Sequence, residues 1–184
     1  MEKNLYPERT LRRILITGPE STGKSDLAIA LARNFGGISV PEYARNYIKN
    51  LVRPYGYSDL EHIALQQVKE YADVDPSRPW IFFDTWLIIT KVWFEVVYGR
   101  FPGWMEEKIR QASFELVLIC DTDLPWIPDP VRENGGQMRE ELMGMYKNEL
   151  DKYGMNWALV TGAGDKRLEH AVMLIKKNIQ YGKS

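Results

Sequence analysis

The run Gly18-Pro-Glu-Ser-Thr-Gly-Lys-Ser25 constrains this chain more than any other. It fits the pattern G-x-x-x-x-G-K-[ST]. Arg13–Thr17 before it reads as a short buried strand, and Asp26–Phe35 after it reads as a helix. A glycine-rich turn in that setting aims several backbone N–H groups, and the positive end of the helix dipole, at one point. Gly18, Glu20, Ser21, Thr22, Gly23, Lys24 and Ser25 are therefore candidate nucleotide-binding residues. Lys24 is placed for the β- and γ-phosphates and the Ser25 hydroxyl for Mg²⁺. Four fixed positions of this kind arise by chance in about one chain of this length in a hundred. A bare glycine turn with an exposed lysine does not need a strand and a helix on either side, so the pattern predicts a nucleoside triphosphate, with ATP and Mg²⁺ as cofactors.

Composition narrows the rest. With 24 basic and 25 acidic residues the formal charge is −1, which gives no basis for a nucleic-acid or membrane-surface partner. Cys120 is alone, so no internal disulfide forms and a reducing compartment is expected. The first ten residues contain no apolar h-region of a signal peptide. The longest apolar stretch, Trp80 to Tyr98, is interrupted by Asp84, Lys91 and Glu95, and a membrane span needs about 20 apolar residues. A cytoplasmic protein is expected, with residues 1–12 as a flexible N-terminus and 13–180 as a single domain. The six tryptophans and ten tyrosines leave room for a homo-oligomer without specifying one.

Strands and helices alternate along the chain. Gly36-Gly37 signals a helix end, and Ile38–Val40 a second strand. Glu42–Leu51 starts helical and breaks before Pro54. Ser58-Asp-Leu-Glu61 is a capping-box pattern, opening a helix with Leu60, Ile63, Ala64, Gln67, Val68 and Tyr71 on one face. Trp80–Asp84 is a buried strand, followed by a helix over 86–98, a short amphipathic helix from Trp104 and the strand Phe114–Cys120. Asp121–Gly136 is rich in Asp, Pro and Gly and reads as a functional loop. A helix over 137–153, the strand Asn156–Val160 and a final helix carrying Leu168, Ala171, Val172, Ile175 and Ile179 complete the chain. Five strands joined by helical crossovers predict a three-layer α/β/α domain. Its sheet would be doubly wound and parallel, as in nucleoside and nucleotide kinases of the P-loop type.

Ligands of such sheets bind beyond the carboxyl ends of the strands. Those ends carry Glu42, Tyr43 and Arg45 after the second strand, Asp84 and Thr85 at the third, and the long loop after the fourth. A carboxylate directly after Ile-Phe-Phe costs several kcal/mol to bury unless a metal or donor meets it, so Asp84 is a candidate metal ligand beside Ser25. Glu42 is a candidate for the acceptor side, although a helix N-terminus alone is reason enough for an acid there. Either acid is able to orient or deprotonate an acceptor hydroxyl. Positive charge from a closing loop would serve the transferred group, which makes Arg132 and Arg139 candidates. A helix arginine pairing with nearby glutamates is an equal reading of Arg139.

The combination of the phosphate loop with Pro41-Glu-Tyr-Ala-Arg45, Phe83-Asp-Thr85, Thr90-Lys-Val-Trp93 and Trp126-Ile-Pro-Asp129 followed by Arg132-Glu133 resembles the ribosylnicotinamide kinase domain of the NadR family. The resemblance runs from the first strand to the fifth. It implies ATP-dependent phosphorylation of the 5′-hydroxyl of nicotinamide riboside to nicotinamide mononucleotide, a step of NAD salvage. Lys24, Glu42, Asp84 and Arg132 would be catalytic. Glu42, Tyr43, Arg45, Asp84, Thr85, Trp126 and Asp129 would meet the nucleoside, and Arg139 and Arg167 the nucleotide, Arg167 at the adenine edge. Two positions depart from the family's acids: Asn46 and Trp86. The aromatic residues Tyr43, Tyr47, Trp86, Trp93 and Trp126 could stack on a cationic ring. Among them Trp93 reads as core and Trp126 as the better ligand candidate. Members of the family also carry an adenylyltransferase domain. His62 and His170 form no H-x-G-H-like motif, and a stand-alone kinase is expected. A kinase for another nucleoside or small alcohol, and a nucleotide-gated regulatory module, remain the rival readings.

Overall fold

The computed structural model describes residues 11–128 and 134–181. Its elements are β1 (Arg12–Thr17), α1 (Lys24–Phe35), β2 (Ile38–Val40), α2 (Tyr43–Lys49), α3 (Tyr57–Ala72), β3 (Trp80–Asp84), α4 (Leu87–Tyr98), α5 (Trp104–Gln111), β4 (Leu116–Cys120), α6 (Gln137–Lys152), β5 (Trp157–Val160) and α7 (Asp165–Tyr181). The strands form one parallel sheet in the order β2-β3-β1-β4-β5. This is the doubly wound α/β architecture read from the sequence.

The central strands β1, β3 and β4 carry apolar runs because both faces of the sheet are covered there. Ile14 and Ile16 of β1 pack with Leu27, Leu31, Ala171 and Ile175 of α1 and α7. Leu15 faces the other way, into the core built with Leu60, Ile63, Leu87 and Ile88 of α3 and α4. Val92, Leu142 and Tyr146 make a smaller cluster along the seam between α4 and α6. Every change of direction at a strand's carboxyl end therefore opens on the same edge of the sheet. Among the described residues no helix is long and apolar enough to cross a membrane.

Several boundaries differ from expectation by a residue or two, and three of them bear on packing. β1 begins at Arg12, one residue inside the expected flexible tail; residues 1–10 of that tail lie outside the described residues. β4 begins at Leu116 rather than Phe114, whose ring sits edge-on against Phe83 and Trp86. α3 begins at Tyr57 with Gly56 as its cap, so the capping acid is Asp59 and not Glu61. The Gly56 N–H donates to Asp59 Oδ2 at 2.7 Å, and Arg53 and Tyr47 also donate to that carboxylate. Together, with Arg53 foremost, these bonds hold the Asp59 carboxyl below the usual carboxylate range.

Candidate active site

The phosphate loop is shaped by left-handed backbone. Gly18, Ser21 and Gly23 have φ of 137°, 57° and 72°. Gly23 caps α1 without a side-chain hydrogen bond, so the first N–H groups of that helix stay open to a ligand. Gly18 is fixed by contact as well as by φ, since a Cβ there would stand 2.7 Å from the Cys120 carbonyl oxygen of β4. Gly18→Ala should therefore displace the loop from β4. The expected result is a loss of about 1–3 kcal/mol in thermal or urea unfolding together with much weaker ATP binding by titration. Unchanged binding would show that the loop tolerates the shift.

Lys24 opens α1, and its Nζ donates to the Pro19 carbonyl at 2.8 Å, arching over the loop. Thr22 Oγ1 donates to the same carbonyl at 2.8 Å. Ser25 and Asp84 meet although 59 residues separate them, with Ser25 Oγ donating to Asp84 Oδ2 at 2.5 Å. The pairing follows from the β1–β3 register, which sets Ile16 opposite Asp84 and so brings the end of β3 under the loop. Two hard oxygen donors at one point suit Mg²⁺, which takes one or two protein oxygens and completes its shell with phosphate and water. No group of three or more His, Cys, Asp or Glu able to hold a metal occurs among the described residues.

Thr85 follows with φ of 70°, rare for a β-branched residue, and its N–H donates to Ile16 O at 2.9 Å. Strained backbone of this kind gathers at functional sites. Here it turns the chain from β3 into α4 directly beside the phosphate loop.

A cavity of about 440 Å³ runs from the phosphate loop past Glu42, Arg45 and Thr85 to a wall built from α2, α4, α6 and the loop before α3. Glu42 holds the N-cap position of α2 without a side-chain capping bond and keeps a quarter of its side chain exposed at this cavity. Its carboxyl is raised above the usual range chiefly by burial; Lys24 opposes that shift and Asp84 adds to it. Arg45 lies 3.9 Å away. The far wall is uncharged: Ile48, Tyr55, Ile89, Thr90, Trp93, Val96, Val97, Leu142 and Tyr146. Tyr55 and Trp93 meet edge to face at 5.0 Å, and the Trp93 indole donates to the Tyr55 hydroxyl at 3.1 Å.

The expected site residues divide accordingly. Gly18, Glu20, Ser21, Thr22, Gly23, Lys24, Ser25, Glu42, Arg45 and Thr85 line the cavity. Asp84 sits behind Ser25, 3% exposed. Tyr43 lies outside the lining, its hydroxyl bonded to His62 Nε2 at 2.9 Å. Tyr47 bonds Asp59, and Trp86 is core, 2% exposed, with its indole donating to the Gln67 carbonyl. Trp126 packs on Gly135 and donates to Glu20 Oε2 at 3.4 Å, outside the cavity, whereas Trp93, read as core, stands in its wall. Asp129 and Arg132 lie outside the described residues.

The remaining two arginines are committed elsewhere. Arg139 is 7% exposed and donates to the carbonyls of Leu124 and Ser21; among the described residues it forms no ion pair with a glutamate, and it does not line the cavity. Arg167 is buried and bonded to Asp123 and to the Gly162 and Val160 carbonyls. At 3% exposed and outside the cavity lining, it shapes the loop after β5 and presents no open face to a base. Sequence reasoning overlooked Tyr55 and Tyr146. It also missed the second apolar face of α4, Ile89, Trp93 and Val96, whose helical spacing was the available signal.

A phosphate cradle at the centre of a parallel sheet, with a carboxylate at the adjoining strand end, defines a P-loop nucleotide-binding domain. The chain belongs to the AAA domain family, whose model matches residues 13–167. It is 29% identical over 175 residues to the trifunctional NAD biosynthesis/regulator protein NadR of Salmonella typhimurium, covering 91% of this chain and 42% of that protein. Its fold is similar to that of a NadR protein in complex with NR, with a TM-score of 0.74 at 19% identity over 93% of this chain and 52% of that one. It is also similar to a deoxyadenosine kinase from M. mycoides, with a TM-score of 0.61 at 16% identity over 90% of this chain and 98% of that one. The chain thus spans about half the length of its NadR relatives and nearly all of the deoxyadenosine kinase.

Proposed function

We propose that the protein is an ATP-dependent nucleoside kinase that phosphorylates the 5′-hydroxyl of nicotinamide riboside, a step of NAD salvage. The observation that carries this reading is the single cavity joining the phosphate loop, through Glu42, to a charge-free aromatic wall. A nucleoside fits that polarity: its hydroxyl end belongs at the carboxylate and its ring at Tyr55, Trp93 and Tyr146. A cationic ring against aromatic faces gains about 0.5–2 kcal/mol. The likeness to NadR in sequence and fold supports the same acceptor.

In this mechanism the loop N–H groups and Lys24 hold the β- and γ-phosphates, and Lys24 follows the charge that builds on the transferred group. Glu42 orients the 5′-hydroxyl and accepts its proton as the oxygen attacks in line. Ser25 and Asp84 would hold Mg²⁺, which would supply charge neutralisation on the phosphates when bound. The hydrophobic wall excludes water, which would otherwise compete as acceptor. ADP release from MgATP should rise sharply with nicotinamide riboside and far less with deoxyadenosine, thymidine or glycerol. Stimulation by one of the others alone would move the acceptor, and slow release indifferent to every nucleoside would leave a nucleotide-gated module.

Glu42 gives a separate prediction. Because its carboxyl is raised, the fold favours the neutral form. Its contribution to stability is fully present below the ordinary value of 4.5 and is lost as pH rises through the raised value. Glu42→Gln should therefore unfold at higher temperature than the parent at pH 7, with the difference vanishing below pH 4. Its phosphoryl transfer should fall by about 10²–10⁴-fold. A variant less stable at neutral pH would show that Glu42 is held by its partners rather than strained by burial.

A further inference from the structure

Asp59 is not part of the cavity lining, yet four hydrogen bonds converge on its carboxylate, which is 3% exposed. As the third residue of α3 it accepts from the Gly56 N–H at 2.7 Å, and a capping box asks no more of it. The other bonds come from outside the helix. Arg53 lays its guanidinium along the carboxylate, Nη1 on Oδ2 at 2.6 Å and Nη2 on Oδ1 at 2.9 Å. The Tyr47 hydroxyl, on α2, donates to Oδ1 at 2.9 Å.

Arg53 and Gly56 bracket Tyr55, which stands in the cavity wall. The loop 50–56 contains no fully buried residue, and Val52 is completely exposed, so apolar burial does little to fix its course. The Arg53 fork does more. Its Nη1 also donates to the Pro54 carbonyl at 3.0 Å, so one guanidinium folds the chain back before Tyr55 while Gly56 pins it behind. At the far end of the side chain, the Tyr55 hydroxyl accepts from the Trp93 indole. Tyr47 brings α2 onto the same anchor, and Arg45 and Ile48 of α2 line the cavity. We infer that Asp59, through the fork of Arg53, is a positioning residue that sets Tyr55 in the acceptor wall. The inference rests on the reading of this wall as the acceptor's, and not on which nucleoside the acceptor is.

The test is steady-state kinetics of the full chain with MgATP and nicotinamide riboside, with a melting curve for every variant. Should the parent take another nucleoside, that nucleoside serves in its place. Arg53→Met should raise KM for the acceptor about 10-fold and leave kcat and KM for MgATP within about 2-fold of the parent. Asp59→Asn should give the same rise and melt lower, because Gly56 and Tyr47 also lose their charged acceptor. Arg53→Lys keeps the charge beside Asp59 but not the fork. It should melt close to the parent and still show most of the rise in KM, which a merely structural ion pair would not produce. In a Tyr55→Ala background, Arg53→Met should add less than about 2-fold, because a residue acting through Tyr55 has nothing left to place. If Arg53→Met or Asp59→Asn does not fold, Arg53→Lys with and without Tyr55→Ala decides. An acceptor KM unmoved by the Arg53 variants, a KM for MgATP that rises as much, or an Arg53 effect that keeps its full size without Tyr55 overturns the positioning role and leaves the kinase assignment standing. If the parent phosphorylates no nucleoside, both fall.

Discussion

Lys24→Ala is expected to lower ATP-dependent phosphorylation by about 10²–10³-fold in kcat while leaving the fold nearly as stable as the parent. The first half follows from charge. Arg139 and Arg167 are held by carbonyls and by Asp123, so Lys24 carries the positive charge that the loop's own side chains bring to the transferred group. Deleting one donor aimed at developing charge typically has an effect of that size. The second half follows from how little Lys24 does for the fold: one part-buried hydrogen bond to Pro19, worth about 0.5–1.5 kcal/mol net. Lys24→Arg should not rescue, because a planar guanidinium does not replace a compact ammonium on the same stem. Retention of most activity by Lys24→Ala, measured as ADP release, would remove the phosphate loop from the mechanism.

The largest loss of stability is expected at Lys91, a residue far from the chemistry. It is fully buried, with Nζ 2.6 Å from Glu95 Oε1, 2.8 Å from Glu149 Oε2 and 4.2 Å from the centre of the Phe101 ring. The Glu149 contact is a charge pair rather than a directed hydrogen bond, since that oxygen has no aligned donor. Lys91→Met leaves two carboxylates facing each other across the α4–α6 seam. Breaking a buried pair from one side costs about 3–5 kcal/mol, and the partial exposure of Glu95 places this case at the lower end. Adding Glu95→Gln and Glu149→Gln to Lys91→Met should recover much of the loss, because the penalty is the unpaired charge. Urea unfolding of the single and triple variants checks this. Trp93 and Tyr146 ride on the same two helices, so the single variant should also raise KM for the acceptor more than for ATP.

Lys91 also marks the limit of what the sequence shows. As one of three charges breaking an apolar stretch it argues correctly against a membrane span, but its burial depends on Glu149, 58 residues away along the chain. The sheet was legible because each strand is an apolar run closed by a turn residue or an acid, and the phosphate loop because its pattern is local. Ser25 and Asp84 were legible as a pair because strand-end chemistry converges whatever the intervening sequence. The acceptor wall was not. Tyr55 sits in a short loop, Tyr146 on a helix with no local motif, and they meet only after α6 packs on α4. Trp93 and Trp126 exchanged roles for the same reason. An apolar helix such as α4 buries one face in the core and has another left for a cavity, and residue type alone does not distinguish the two. Arg167 looked available for a base, but the fold buries it beneath the loop after β5, bonded to Asp123 and nearby carbonyls.

The proposed reaction transfers a phosphoryl group to a nucleoside 5′-oxygen rather than to water. Phosphorus NMR of MgATP and nicotinamide riboside with the enzyme tests it directly. One new phosphomonoester resonance, coupled to the 5′-protons, is expected to grow in step with ADP and to be absent with Lys24→Ala. Inorganic phosphate appearing in step with ADP, with the nucleoside recovered unchanged, would contradict it.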